Sequence, residues 1–137
     1  MNPRIWVTAL CLAVMTPGLL SAAIVGSTDQ QVQDSVNPLL DAVIQGLQDD
    51  NYELYTKYFN PALKSSISQD RFKQIDQQLS EMLGNYLYRE YLGFLNKGAF
   101  TVVLWKGVFD RAANDVLIKL VVSKNPGGLV ITGLWFE

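Results

Sequence analysis

From residue 29 onward, apolar positions recur every three or four residues. Val32, Val36, Leu39, Val43 and Leu47, with Leu40 and Ile44 beside them, make one stripe of a helix that faces a core. Asn37-Pro38 interrupts the stripe. Proline at a first helical position forfeits no hydrogen bond, so Asn37 reads as an N-cap and the spacing predicts a helix over 38–48, with 24–36 as a polar lead-in. Asp49-Asp50-Asn51 breaks the pattern and caps a second short helix on the face Tyr52, Tyr55, Tyr58 and Phe59. Asn60-Pro61 restarts the chain into one turn through Leu63. Ser68 caps a third helix with the core face Phe72, Ile75, Leu79, Met82 and Leu83, closed by Gly84.

Beyond Gly84 the period changes to two. Four runs rich in β-branched and aromatic residues follow, Tyr86–Leu95, Phe100–Phe109, Val116–Val122 and Leu129–Phe136, separated by turn residues short enough to join antiparallel neighbours. The pattern predicts an α+β fold: about three N-terminal helices packed on a curved four-stranded antiparallel sheet. In the third run Val116, Ile118, Leu120 and Val122 form one apolar face, assigned to the helices. In the second run both faces are largely apolar, Val103, Trp105 and Phe109 on one and Phe100, Val102, Leu104 and Val108 on the other, with Lys106 interrupting. A sheet covered by helices on one side has a wetter second side. Phe100, Val102, Leu104 and Lys106 are therefore candidates for the face of a homodimer formed through the sheet.

The first 23 residues follow neither pattern. Arg4, an apolar run from Ile5 to Met15, Pro17-Gly18 and Ser21-Ala22-Ala23 have the three parts of a secretory signal cleaved after Ala23. The run is well short of the ~20 residues that span a bilayer, which disfavours an uncleaved anchor. The expectation is an exported protein, secreted or periplasmic, with no membrane span after cleavage and residues 37–137 as its folded domain. Cys11 is the one cysteine and lies in that leader behind Leu10, a residue too large to precede a lipidated cysteine. The mature chain then has no thiol for a disulfide or a nucleophile. Eleven basic and thirteen acidic residues are spread without a basic run, which argues against nucleic acid as a partner.

Several features carry a resemblance: Asn37-Pro38-Leu39-Leu40, Asp50-Asn51-Tyr52-Glu53-Leu54-Tyr55 before Phe59, the helix closing on Leu83-Gly84, the glycine and aromatic of Gly107-Val108-Phe109, and the ending Gly133-Leu134-Trp135-Phe136. With the order of elements they resemble the small exported domains of unknown function of the DUF3887 type, in the NTF2-like (cystatin-like), cone-shaped superfamily. The resemblance covers essentially the mature chain. It implies a cleft between helices and sheet and frequent dimerisation through the sheet. It implies no reaction, because function resides in the site and not in the fold.

The absence of histidine removes the Ser-His-Asp arrangement, an imidazole base and histidine-rich zinc sites. Tyrosines remain as hydroxyl donors, Tyr52, Tyr55, Tyr86, Tyr88 and Tyr91, and Glu53, Glu90 and Asp115 as bases, the chemistry a small isomerase or dehydratase of the cone type would use. Their plainer reading is core and sheet aromatics with solvated acids. Asp49, Asp50, Asn51 and Glu53 lack the alternation and glycine of a calcium loop and read as a helix cap, so no metal or cofactor is expected. Aromatics on the sheet, Trp105, Phe109 and Trp135, together with Tyr52, Tyr55 and Tyr86, are candidates to line an apolar pocket. Three readings stay open: a non-catalytic binding module for a small apolar ligand or a protein partner, which the residues favour; the isomerase or dehydratase; and a purely structural or assembly domain.

Overall fold

Each helix begins where a short polar side chain takes up a free backbone N–H. The computed structural model describes residues 24–137, and the expected leader lies outside them. Thr28 caps α1 (Asp29–Gln48), Asn51 caps α2 (Tyr52–Tyr55), Asn60 caps α3 (Pro61–Ser66) and Ser68 caps α4 (Gln69–Leu83). The side-chain oxygens accept from the N–H three residues on, at 3.2, 3.1, 2.8 and 3.1 Å respectively. Three of these caps are those the sequence marks.

The fourth is a correction. The first helix starts at Asp29, so most of the expected lead-in is helical and Pro38 lies inside α1. An interior proline costs about 3 kcal/mol or more. Burying a valine side chain returns about 1.5–3 kcal/mol, and the segment before Pro38 buries two of them, Val32 and Val36, both 0% exposed. Asn37 is not a cap; its Oδ1 accepts from Arg89 Nη2 at 3.3 Å.

The first turn of α1 is also tied to the sheet, since the Tyr91 hydroxyl donates to Asp29 Oδ1 at 2.7 Å. Burial and then that hydrogen bond push the Tyr91 pKa up to about 12. The stability this bond supplies is present below pH 10 and is lost as pH rises through about 12. Tyr91→Phe is expected to cost about 0.5–1 kcal/mol at neutral pH, the bond being largely solvent-exposed, and to flatten the decline in stability between about pH 10 and 12. Urea unfolding across that range measures both effects.

The sheet follows as β1 (Tyr86–Lys97), β2 (Phe100–Phe109), β3 (Val116–Asn125) and β4 (Gly128–Phe136), paired antiparallel in that order and open at both edges. The described residues thus form an α+β fold, four helices and then a meander. Segment 58–60 lies along the β4 edge, with Ile131 N donating to Tyr58 O at 2.7 Å and Asn60 N to Ile131 O at 2.9 Å. In β1 the register slips at Leu87 and at Leu92, and in β4 it slips at Thr132.

Trp105 is 1% exposed at the centre of the core, opposite Tyr91 on one side and Ile118 on the other. Around it lie Val36, Leu40 and Val43 of α1, Tyr55 and Phe72, and Val103, Leu120, Val122 and Ile131 of the sheet. Val116, Ile118, Leu120 and Val122 are all buried, as the sequence leads one to expect. Gly107 leaves room for this packing, because a Cβ there would lie 2.9 Å from both Ile118 Cδ1 and the Phe109 ring.

Candidate functional site

Helix α4 is only shallowly embedded. It carries five apolar residues on the face read as core, yet it buries Phe72 alone. Ile75, Leu79 and Leu83 are half-buried and Met82 is 70% exposed, which corrects the expected core face. The N-terminal end is held by aromatic contacts of Phe72 with Tyr52 (5.8 Å between centroids) and Tyr55 (4.8 Å). The C-terminal end is clamped by polar bonds. Gly84, at φ +78°, turns the chain, Asn85 donates its N–H and side-chain amide to the Asp110 carboxylate at 2.8 and 3.0 Å, and Arg111 Nη2 donates to Ser80 O at 2.7 Å. The backbone and side-chain bonds from Asn85 hold the Asp110 carboxyl below its ordinary range.

Between these fixed ends α4 leaves a cleft of ≈180 Å³. Tyr86, Phe109 and Phe136 form its floor, Ile44, Leu47 and Gln48 of α1 one wall, and Asp76, Leu79 and Ser80 of α4 the other. The floor rings meet edge to face, Tyr86 with Phe109 at 5.6 Å and Phe109 with Phe136 at 6.4 Å. Arg89 orients Tyr86 by donating to its hydroxyl at 3.2 Å, while its other nitrogen bonds Asp41 at 2.8 Å. On the far side of Leu79 a second groove of ≈240 Å³ runs among Tyr55, Phe59, Ile67, Ile75, Leu134 and Trp135. Leu79 and Phe136 line both. The larger depressions beside α2 and α3 are more open to solvent.

One carboxylate, that of Asp76, lies among the residues lining the first cleft. Partial burial, and then the nearby Asp50 carboxylate, raise the Asp76 pKa. The sequence reading passed over Asp76, although the signal was there: it stands four residues after Phe72 and three before Leu79, an acid within an apolar stripe.

The six pocket candidates separate. Tyr86 and Phe109 line the cleft beneath α4, and Tyr55, 4% exposed, lines the second groove. Burial pushes the Tyr55 pKa up to about 12, partly offset by Arg71. Tyr52 donates its hydroxyl to Ile67 O at 2.7 Å and faces the open depressions. Trp105 is core and not pocket wall, because its neighbours fill the space around it. Trp135 borders the second groove, while its ring lies across Gly133 on the outer side of the sheet and beneath Lys119 Nζ, 4.7 Å from the centroid. The register slip at Thr132 explains that placement: it puts Ile131 on the core face and turns Trp135 out, where strict alternation would set both on one side.

The dimer-face candidates share the outer side of the sheet. Val102, Leu104 and Lys106 alternate with the buried Val103 and Trp105, and Phe100 is 46% exposed. Exposed Tyr88 and Leu95 on β1 extend this apolar surface. Lys106 Nζ is 3.4 Å from Glu90 and Lys119 Nζ 3.2 Å from Glu137. Glu53 pairs with Lys64 at 3.6 Å and Asp115 is exposed, so the carboxylates named as bases lie at the surface.

No protein-family model and no curated protein matches the sequence. The fold has a solved counterpart. The solution structure of a SEC-C motif containing protein from Rhodopseudomonas palustris matches with a TM-score of 0.50 over 82% of this chain and 96% of that one, at 14% sequence identity. At that identity the likeness is one of fold.

Proposed function

We propose that this protein is an exported, non-catalytic binding module of the NTF2-like, DUF3887 type, which holds a small apolar ligand beneath α4 and pairs with a second copy through the outer face of its sheet. The observation that carries the reading is the seating of α4. A helix pinned at both ends stands over two grooves that share Leu79 and Phe136, the second walled mainly by apolar side chains and the first by apolar and polar side chains together, which supplies both the apolar wall and the orienting polar groups of a small-molecule site. The outer face supports the second copy. Phe100, Val102, Leu104 and Trp135 form an apolar surface whose two lysines are each paired within the sheet. The surface position of Glu53, Glu90 and Asp115 favours binding over an isomerase built on them.

Nile red, a neutral apolar dye, tests the cleft. Saturable fluorescence enhancement is expected with the native protein, and Leu79→Trp, which fills the junction of the two grooves, is expected to weaken it by about tenfold or more at unchanged fold. Absence of saturable binding, or equal binding by Leu79→Trp, contradicts the reading.

A further inference from the structure

The two grooves share one leucine and one phenylalanine as walls, Leu79 and Phe136, and their polar groups are unevenly placed. The second groove is lined almost wholly by apolar side chains. The first has Asp76 on its α4 wall, with Gln48, Ser80 and Asn85 around it. Among the described residues four ion pairs form, and none includes Asp76. The charge that acts on it is another carboxylate, Asp50. Among the described residues no hydrogen bond reaches the side chains of Asp50, Asp70, Asp76 or Asp115, whereas Asp29, Asp34, Asp41, Asp49 and Asp110 all accept one, and of the four without one only Asp76 is partly withdrawn from solvent.

Building on the binding reading above, we propose that the ligand is a single-chain amphiphile with a cationic head, the head on the Asp76 carboxylate and the alkyl chain passing between Leu79 and Phe136 into the second groove. A chain suits this space, because it is divided into two small grooves that share Leu79 and Phe136 as walls and is not one round cavity. The head must be positive for electrostatic reasons. A half-buried carboxylate with no cation beside it and a second carboxylate nearby is stabilised by a positive charge, gains little from a neutral hydroxyl, and repels an anion. The raised Asp76 pKa has the same origin, and a cation bound there lowers it again.

Calorimetric titration of the native protein at pH 7.5 with decylammonium, decanol and decanoate, each below its micelle-forming concentration, tests the inference. Decylammonium is expected to bind about tenfold or more tighter than decanol, with decanoate weakest, because a charge-assisted hydrogen bond replaces a neutral one. Asp76→Asn is expected to remove that order, and a urea-unfolding midpoint close to that of the native protein shows that the variant is folded. Equal binding of decanol and decylammonium, or a preference that survives Asp76→Asn, overturns the head-group assignment even where Leu79→Trp still blocks Nile red. Failure of all three decyl compounds overturns the inference outright. Failure of Nile red as well removes the cleft reading beneath it.

Discussion

Trp105→Ala is expected to lower the stability of the domain by about 3–5 kcal/mol, a large fraction of the roughly 5–15 kcal/mol that holds such a domain folded. The side chain is 1% exposed, and its ring meets Tyr91 edge to face at 6.4 Å and carries the Arg89 guanidinium at 5.8 Å. Removing it leaves a cavity bounded by both layers, which the strands on either side cannot close. The effect also separates two roles for this residue. A tryptophan that lined a ligand pocket would, when truncated, change binding with a small loss of stability. A core tryptophan gives the reverse, a large fall in the denaturation midpoint whose size is independent of added ligand. Urea unfolding with and without Nile red distinguishes them.

Gly46→Ala is expected to destabilise, against the usual sign for a helix interior. Alanine in place of a mid-helical glycine normally gains roughly 0.5–1 kcal/mol. Here α2 crosses directly over Gly46, and a Cβ would lie 2.5 Å from the Tyr55 backbone nitrogen and 2.7 Å from its Cα. Backbone cannot rotate away, so α2 must move, and overpacking of this kind costs about 1–3 kcal/mol. A net loss of about 1–2 kcal/mol is expected in thermal or urea unfolding, with weaker Nile red binding, because Tyr55 is a wall of the second groove. A stabilised Gly46→Ala protein would mean that α1 and α2 do not approach this closely.

Much of the fold is legible in the residues. The four strands, their order, and the caps Asn51, Asn60 and Ser68 follow from turn chemistry and period, because each is decided by neighbours within a few positions. Pro38 misleads, because the local rule for proline is outweighed by a stripe of buried residues that continues on both sides of it. Met82 misleads for a different reason. It keeps the helical period of a core residue at the far end of α4, and the sequence does not reveal which part of that helix packs on the sheet. At the site, Tyr86 and Phe109 border the first cleft from their strands, and Trp135, whose ring is turned outward by one inserted residue at Thr132, still borders the second groove. Asp76 is hidden among surface acids until the structure shows a cleft beside it.

Native mass spectrometry of the protein purified from its own cells tests the proposed binding module most directly. The account predicts a dimer that carries the added mass of a small molecule, released under denaturing conditions and missing from the Leu79→Trp protein. A monomer free of adduct, with the same spectrum for Leu79→Trp, would contradict both the occupied cleft and the paired sheet.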